Sequence, residues 1–151
     1  MDDFVNDLYM KPEGDQTLVE EIESPGLPTD PENFVEIIDL DTVPRLAGKL
    51  LHRFPAMSAA VSRGGYAGPY DVSPDGHPIL DEAPGFDGLY CAVGFSGHGF
   101  RFEPCTGRLM AEFILDGKTR GVNIRAFRSS RFAEGKTITP FAYALHRWTA
   151  L

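Results

Sequence analysis

Residues 94–100 read Gly94-Phe95-Ser96-Gly97-His98-Gly99-Phe100, directly after the apolar run Leu89 to Val93 and just before the amphipathic stretch Pro104 to Leu115. A strand, a glycine-rich turn and a helix in that order suit an anion or an electron-rich group. The helix start offers N–H donors without intrahelical partners and a partial positive charge. Glycines let bare backbone approach a flat ligand closely. The spacing is not the G-x-G-x-x-G of a nucleotide-binding turn, because Gly97 and Gly99 match its first two places and Phe102 falls on the third. Taken alone, these residues equally suit a tight strand-to-helix turn that holds no ligand.

Other chemistry-bearing residues are scattered. His77 and His98 are candidate bases, since histidine titrates near neutrality, although a surface turn residue and a loop-shaping residue are the plainer readings. Asp75 closes a turn or orients an amine. Arg125, Arg128 and Arg131 suit phosphates or a structural pairing with the acidic N-terminal stretch. Cys91 and Cys105 form no CxxC pair and read as free thiols. With His77 and His98 they lack the spacing of a zinc site, so no metal is expected.

The elements that must position these residues emerge from pattern. Phe4 to Met10 and Thr17 to Ile22 flank a Pro/Gly turn and predict a hairpin. Val43, Leu46, Ala47, Leu50, Leu51 and Phe54 form one stripe at the helical period, predicting a core-packing helix over 41–54, capped by Asp41 and stopped by Pro55. Residues 56–70 read as extended, interrupted at Gly64-Gly65. Ser73-Pro74-Asp75-Gly76 is a tight turn, Pro78 to Leu80 a short strand, and Leu89 to Val93 a buried strand. A helix is expected from about Pro104 to Leu115, closed by Gly117. The apolar tail from Thr139 to Leu151 is expected to dock on something.

The chain has 151 residues and net charge −8. Residues 1–43 hold 13 acids and one base, leaving the remainder at +4 with no Lys/Arg cluster. Nucleic acid is therefore not an expected partner, and the acidic stretch reads as a solvated face. No basic leader precedes an apolar segment, and no apolar run approaches ~20 residues. A soluble, cytoplasmic protein is expected, with no membrane partner.

Several segments together resemble the D-amino-acid-oxidase-like FAD-dependent oxidoreductases, the family of glycine oxidase, sarcosine oxidase and dimethylglycine dehydrogenase. Tyr70-Asp71-Val72-Ser73-Pro74-Asp75-Gly76-His77-Pro78-Ile79-Leu80 is similar to the family's Thr/Ser-Pro-Asp-Gly-x-Pro-Ile segment. Gly88-Leu89-Tyr90 leading to Gly94-Phe95-Ser96-Gly97-His98-Gly99-Phe100 resembles its second flavin-binding segment. The helix from Pro104 resembles the family's next helix, and the run Arg128-Ser129-Ser130-Arg131-Phe132 resembles its closing Phe-Arg-x-x-Arg-Phe. The resemblance covers roughly residues 64–132, and residues 4–54 fit the family's substrate domain more loosely.

The resemblance implies roles. Gly94, Gly97, His98, Gly99, Phe100 and Arg101 would bind the cofactor, noncovalent FAD, only once a partner completes the site and with none expected in this chain alone, and the helix tip near Pro104 would face the ring atoms that gain negative charge on reduction. Arg101 would hold a substrate carboxylate, where sarcosine-oxidising relatives carry Lys. Tyr70 and His98 join Arg101 as catalytic candidates, and hydride would pass from the carbon beside nitrogen to flavin N5. Gly68 and Pro69 stand where members with covalent flavin carry Cys. Glycine oxidase places an Arg near the position of Tyr70.

The family's G-x-G-x-x-G half does not occur in this sequence. An ADP-binding half on a partner chain is therefore expected, alongside an amine or amino-acid substrate and a homo-oligomeric state. The alternative is a remnant without flavin or catalysis that associates with itself or with a partner. The expected fold is α+β: a mostly antiparallel sheet with a packing helix, plus a strand–Gly-loop–helix unit. One compact body is expected, with residues 1–80 resembling part of the substrate domain, 81–134 the C-terminal FAD-binding segment, and 135–151 a docking tail.

Overall fold

The structure, a computed structural model, describes residues 1–22 and 28–138. The tail reading at 139–151, including Trp148, lies outside the described residues. The architecture is α+β with antiparallel sheets, as expected. The chain divides into two compact units, Met1–Pro69 and Tyr70–Leu151. Residues 71–73 bond into the 94–96 loop within the second unit.

In the first unit, strands β1 (Asp2–Asp3), β2 (Leu8–Glu13) and β3 (Gln16–Glu20) form a meander in that order. The expected hairpin is present, with Glu13 paired to Gln16 across a turn whose Gly14 sits at φ 63°. That left-handed turn is where glycine has no steric cost. Leu8 and Met10 alternate onto one face and are buried. Helix α1 (Thr42–Arg53) matches the stripe, but Asp41 makes no side-chain cap bond.

The expectation that α1 packs into a core fails, since none of its residues is buried. Leu46, Ala47 and Leu50 are half-covered and Leu51 is exposed, because a three-stranded meander is too small to cover the stripe. The basic side of α1 is better used. Arg45 pairs with Glu21, Lys49 reaches Asp7 (2.6 Å) and Glu21 (2.7 Å), and Arg53 reaches Asp3 (2.9 Å). The acidic stretch is therefore partly neutralised within its own unit rather than wholly solvated.

In the second unit, β4 (Ile79–Glu82) pairs antiparallel with β5 (Tyr90–Val93). Helix α2 (Gly99–Asp116) ends at Gly117 in the left-handed region, φ 68°. Single-turn 3-10 segments come next, at Ile124–Phe127 and Ser129–Arg131. Leu80, Leu109, Met110 and Ile124 make the core, edged by Tyr90, Phe95, Phe113 and Phe127. Tyr90 and Phe113 meet edge to face at 5.7 Å.

Two expectations change here. β5 is not buried, since Ala92 and Val93 are exposed. α2 begins at Gly99, five residues before Pro104, which lies inside the helix. Proline suits a helix start because its missing N–H is not needed there. In this helix the preceding turn is instead closed by the His98 N–H donating to Phe95 O (3.0 Å).

Candidate functional site

The glycine turn is stitched to the segment before β4. The Asp71 carboxylate accepts from the Gly94 N–H (2.6 Å) and the Phe95 N–H (3.3 Å), and the Asp71 carbonyl accepts from the Ser96 N–H (3.1 Å). The Ser96 hydroxyl accepts from the Ser73 N–H (3.2 Å) and donates to Gly94 O (3.1 Å). Val72 and Phe95 form a lone antiparallel bridge within this seam. A short acidic residue and two hydroxyls thus satisfy backbone groups that a strand ladder would satisfy elsewhere.

A buried ion pair secures the other side of the Ser73–Gly76 turn. Arg131 is fully buried and forks onto Asp75, with Nε to Oδ2 and Nη2 to Oδ1 both at 2.8 Å. Its remaining donors reach His77 O (2.8 Å), Phe127 O (3.0 Å) and Arg128 O (3.1 Å). The Asp75 carboxylate also accepts from the N–H groups of His77 (3.2 Å) and Ile138 (3.1 Å). Burial pushes the Asp75 carboxyl up, but Arg131 and those N–H groups outweigh it and hold it down to about 2.

For Arg131 both sequence alternatives are corrected: it is fully buried and its charge is spent on Asp75 within its own unit. Arg128 pairs with Glu134, whose carboxyl is held down to about 2 chiefly by that guanidinium. Asp75 is committed to the same lock, which leaves it no role in orienting an amine.

The expected site residues fall into two groups. Gly94 is buried at φ 70°, its N–H is taken by Asp71, and an added Cβ would come within 3.1 Å of Ser73. It turns the chain and faces inward. The other residues lie at the start of α2. Gly97 sits at φ 82°, and a Cβ there would meet the Tyr70 ring at 3.6 Å, so Tyr70 and Gly97 are neighbours. His98 directs Nδ1 at Phe95 O (3.3 Å). A carbonyl only accepts, so a neutral His98 in this contact carries its proton on Nδ1 and leaves Nε2 as the basic atom.

Gly99 and Phe100 open α2, where N–H groups have no partner inside the helix. Phe100 is exposed, as is Arg101. A hollow of 320 Å³ beside them is lined by Ala92, Phe95, Gly99, Phe100, Glu103 and Thr106. The positive helix tip therefore sits at Gly99, not near Pro104. Sequence reading assigned no role to Asp71, Ser73 or Ser96. The available signal was a set of short polar residues beside a Pro-Asp-Gly turn and a glycine run, since such side chains bond backbone locally.

Comparison with known proteins agrees on one grouping. The model of the family described as DAO, FAD dependent oxidoreductase, matches residues 1–113. N-methyl-L-tryptophan oxidases of Salmonella dublin, Salmonella enteritidis and Salmonella typhi are each 44% identical over 70 residues, 46% of this chain and 18% of the oxidase. The crystal structure of L-proline dehydrogenase from P. horikoshii superposes with a TM-score of 0.76 at 22% identity, over 89% of this chain and 35% of that one. The chain thus spans a minor part of the length of each protein it matches.

Proposed function

The chain belongs to the DAO family of FAD-dependent oxidoreductases, and on that premise we propose that it supplies the flavin-facing and substrate-facing segment of an enzyme that oxidises the C–N bond of an amine or amino acid. The observation that carries the reading is the start of α2. Gly97 and Gly99 bring backbone without side chains, and Gly99 and Phe100 bring N–H groups without intrahelical partners, to a spot beside a mostly apolar hollow. That combination suits the edge of a flat aromatic ring that takes up negative charge. Its spacing is not the fingerprint of an ADP-binding turn, since Phe102 falls on the third glycine place.

When bound, FAD supplies the acceptor for the hydride lost from the carbon beside the substrate nitrogen. This chain's residues do the rest. The helix tip at Gly99 favours negative charge next to it. Arg101 binds a substrate carboxylate, and its planar fork suits two parallel bonds. His98 Nε2 is placed to hold a proton, and the Tyr70 ring backs Gly97. The ADP-binding half lies outside these residues, and the apolar side chains left open around β5 and α2 (Leu89, Val93 and Phe100) are the surface that such a half, or a second copy, would cover.

A chimera tests this. Residues 64–132 replace the matching stretch of a Salmonella N-methyl-L-tryptophan oxidase, and the product is read for retained FAD and for oxidation of N-methyl-L-tryptophan. The proposal expects a coloured, active chimera whose KM rises on Arg101→Ala. A folded chimera that holds no flavin would overturn it and favour the non-catalytic alternative.

A further inference from the structure

Ser96 is an anomaly in its own turn. Among the described residues of the second unit it is the one non-glycine residue with a positive φ, 52°. It is also among the most buried side chains, 1% exposed, in a turn whose two neighbouring glycines already provide left-handed freedom. A side chain in that region costs of order 1 kcal/mol and persists only when its surroundings over-determine it. Glycine would remove that cost. A residue kept in strain with glycine on either side at positions 94 and 97 points to the hydroxyl.

That hydroxyl joins Gly94 to the turn at Ser73. It accepts from the Ser73 N–H, donates to Gly94 O, and lies 3.5 Å from the Ser73 hydroxyl. The Ser73 hydroxyl in turn donates to His77 O (2.7 Å), and the Arg131 guanidinium donates to the same carbonyl. The loop is thereby split. Residues 94–96 spend their N–H groups internally on Asp71, whereas Gly97 faces the Tyr70 ring and Gly99 and Phe100 line the hollow.

We propose that Ser96 is a positioning residue: its hydroxyl clips the inner half of the loop to Ser73 and so fixes where Gly97, Gly99 and Phe100 present their backbone. The inference rests on the flavin-facing reading of the α2 start, yet its primary test needs no flavin. Amide hydrogen exchange is followed in the full chain for wild type, Ser96→Gly and Ser96→Ala. The Gly variant removes strain and hydroxyl together, and the Ala variant removes only the hydroxyl.

In both variants the Ser73 amide, which loses its acceptor, and through the loosened loop the Gly94 and His98 amides should exchange roughly tenfold faster, the effect of losing a hydrogen bond at a buried site, while Leu109 and Met110 in the α2 core stay as in wild type. The Gly variant should melt no lower than wild type despite its looser loop. That split between local opening and global stability is what a merely structural serine would not produce. Unchanged exchange at Gly94 and His98 in Ser96→Gly, or equal acceleration at Leu109 and Met110, overturns the inference. Added lumiflavin, the flavin ring without its ADP part, separates the two claims. If it moves no amide of the wild-type chain but the clip signature is present, Ser96 shapes the loop and the flavin reading falls.

Discussion

The two units of this chain solve the same problem unequally. The second closes a core around Leu80, Leu109, Met110 and Ile124 and locks its turns with a fully buried Arg131–Asp75 fork. The first has a well-patterned helix with no buried residue, held by ion pairs whose basic partners are 30% to 48% exposed. A buried charge pair gives directional, all-or-none support, whereas exposed pairs contribute little each. The candidate site lies entirely in the locked unit, as precise presentation of backbone requires.

The sharpest way to break this contrast is Arg131→Ala. It strands the Asp75 carboxylate in the interior and should cost about 3–5 kcal/mol, read as loss of the second unit's cooperative urea transition. A cost under about 1 kcal/mol would mean that the lock is decorative. Leu109→Ala should cost about 2–4 kcal/mol by opening the core, while Leu50→Ala on the open stripe of α1 should cost about half as much or less, compared by the same melts.

Acid sharpens the contrast further. Asp75 is held at about 2 in the fold against roughly 3.9 in an unfolded chain. Its depressed value means that the folded state keeps the carboxylate charged, so this support is complete above about pH 4 and is lost as pH falls toward 2. It amounts to about 2 kcal/mol. A pH series of unfolding followed by Tyr90 or Phe113 resonances should show the loss in that window, and Asp75→Asn should flatten it. The smallest effect is expected from Arg53→Ala, whose partly exposed bond to Asp3 should leave the thermal melt almost unchanged.

Much of this was legible in the residues. The period of α1, the Glu13–Gln16 hairpin turn, the Ser73–Gly76 turn and the Gly117 cap all depend on local chemistry, and all occur where expected. What sequence could not give depends on distant partners. The α1 stripe predicts a covered face, but periodicity says nothing about whether enough chain exists to cover it. β5 reads as buried from its apolar run, yet its exposure depends on what lies against it. Pro104 looks like a first helical residue, and the earlier start at Gly99 comes from the turn that His98 and Phe95 close. Asp75 and Arg131 are 56 residues apart, a pairing that no local rule connects.

The central claim is that the start of α2 reads the electron-accepting ring of a flavin. Lumiflavin, the flavin ring without the ADP part, titrated into the isotope-labelled chain tests it directly through backbone amide shifts. The account predicts saturable shifts centred on Gly97 to Phe102 and on Ala92, Phe95, Glu103 and Thr106 around the hollow, with α1 unmoved. Saturating lumiflavin that leaves those amides in place, or that moves the first unit instead, contradicts it.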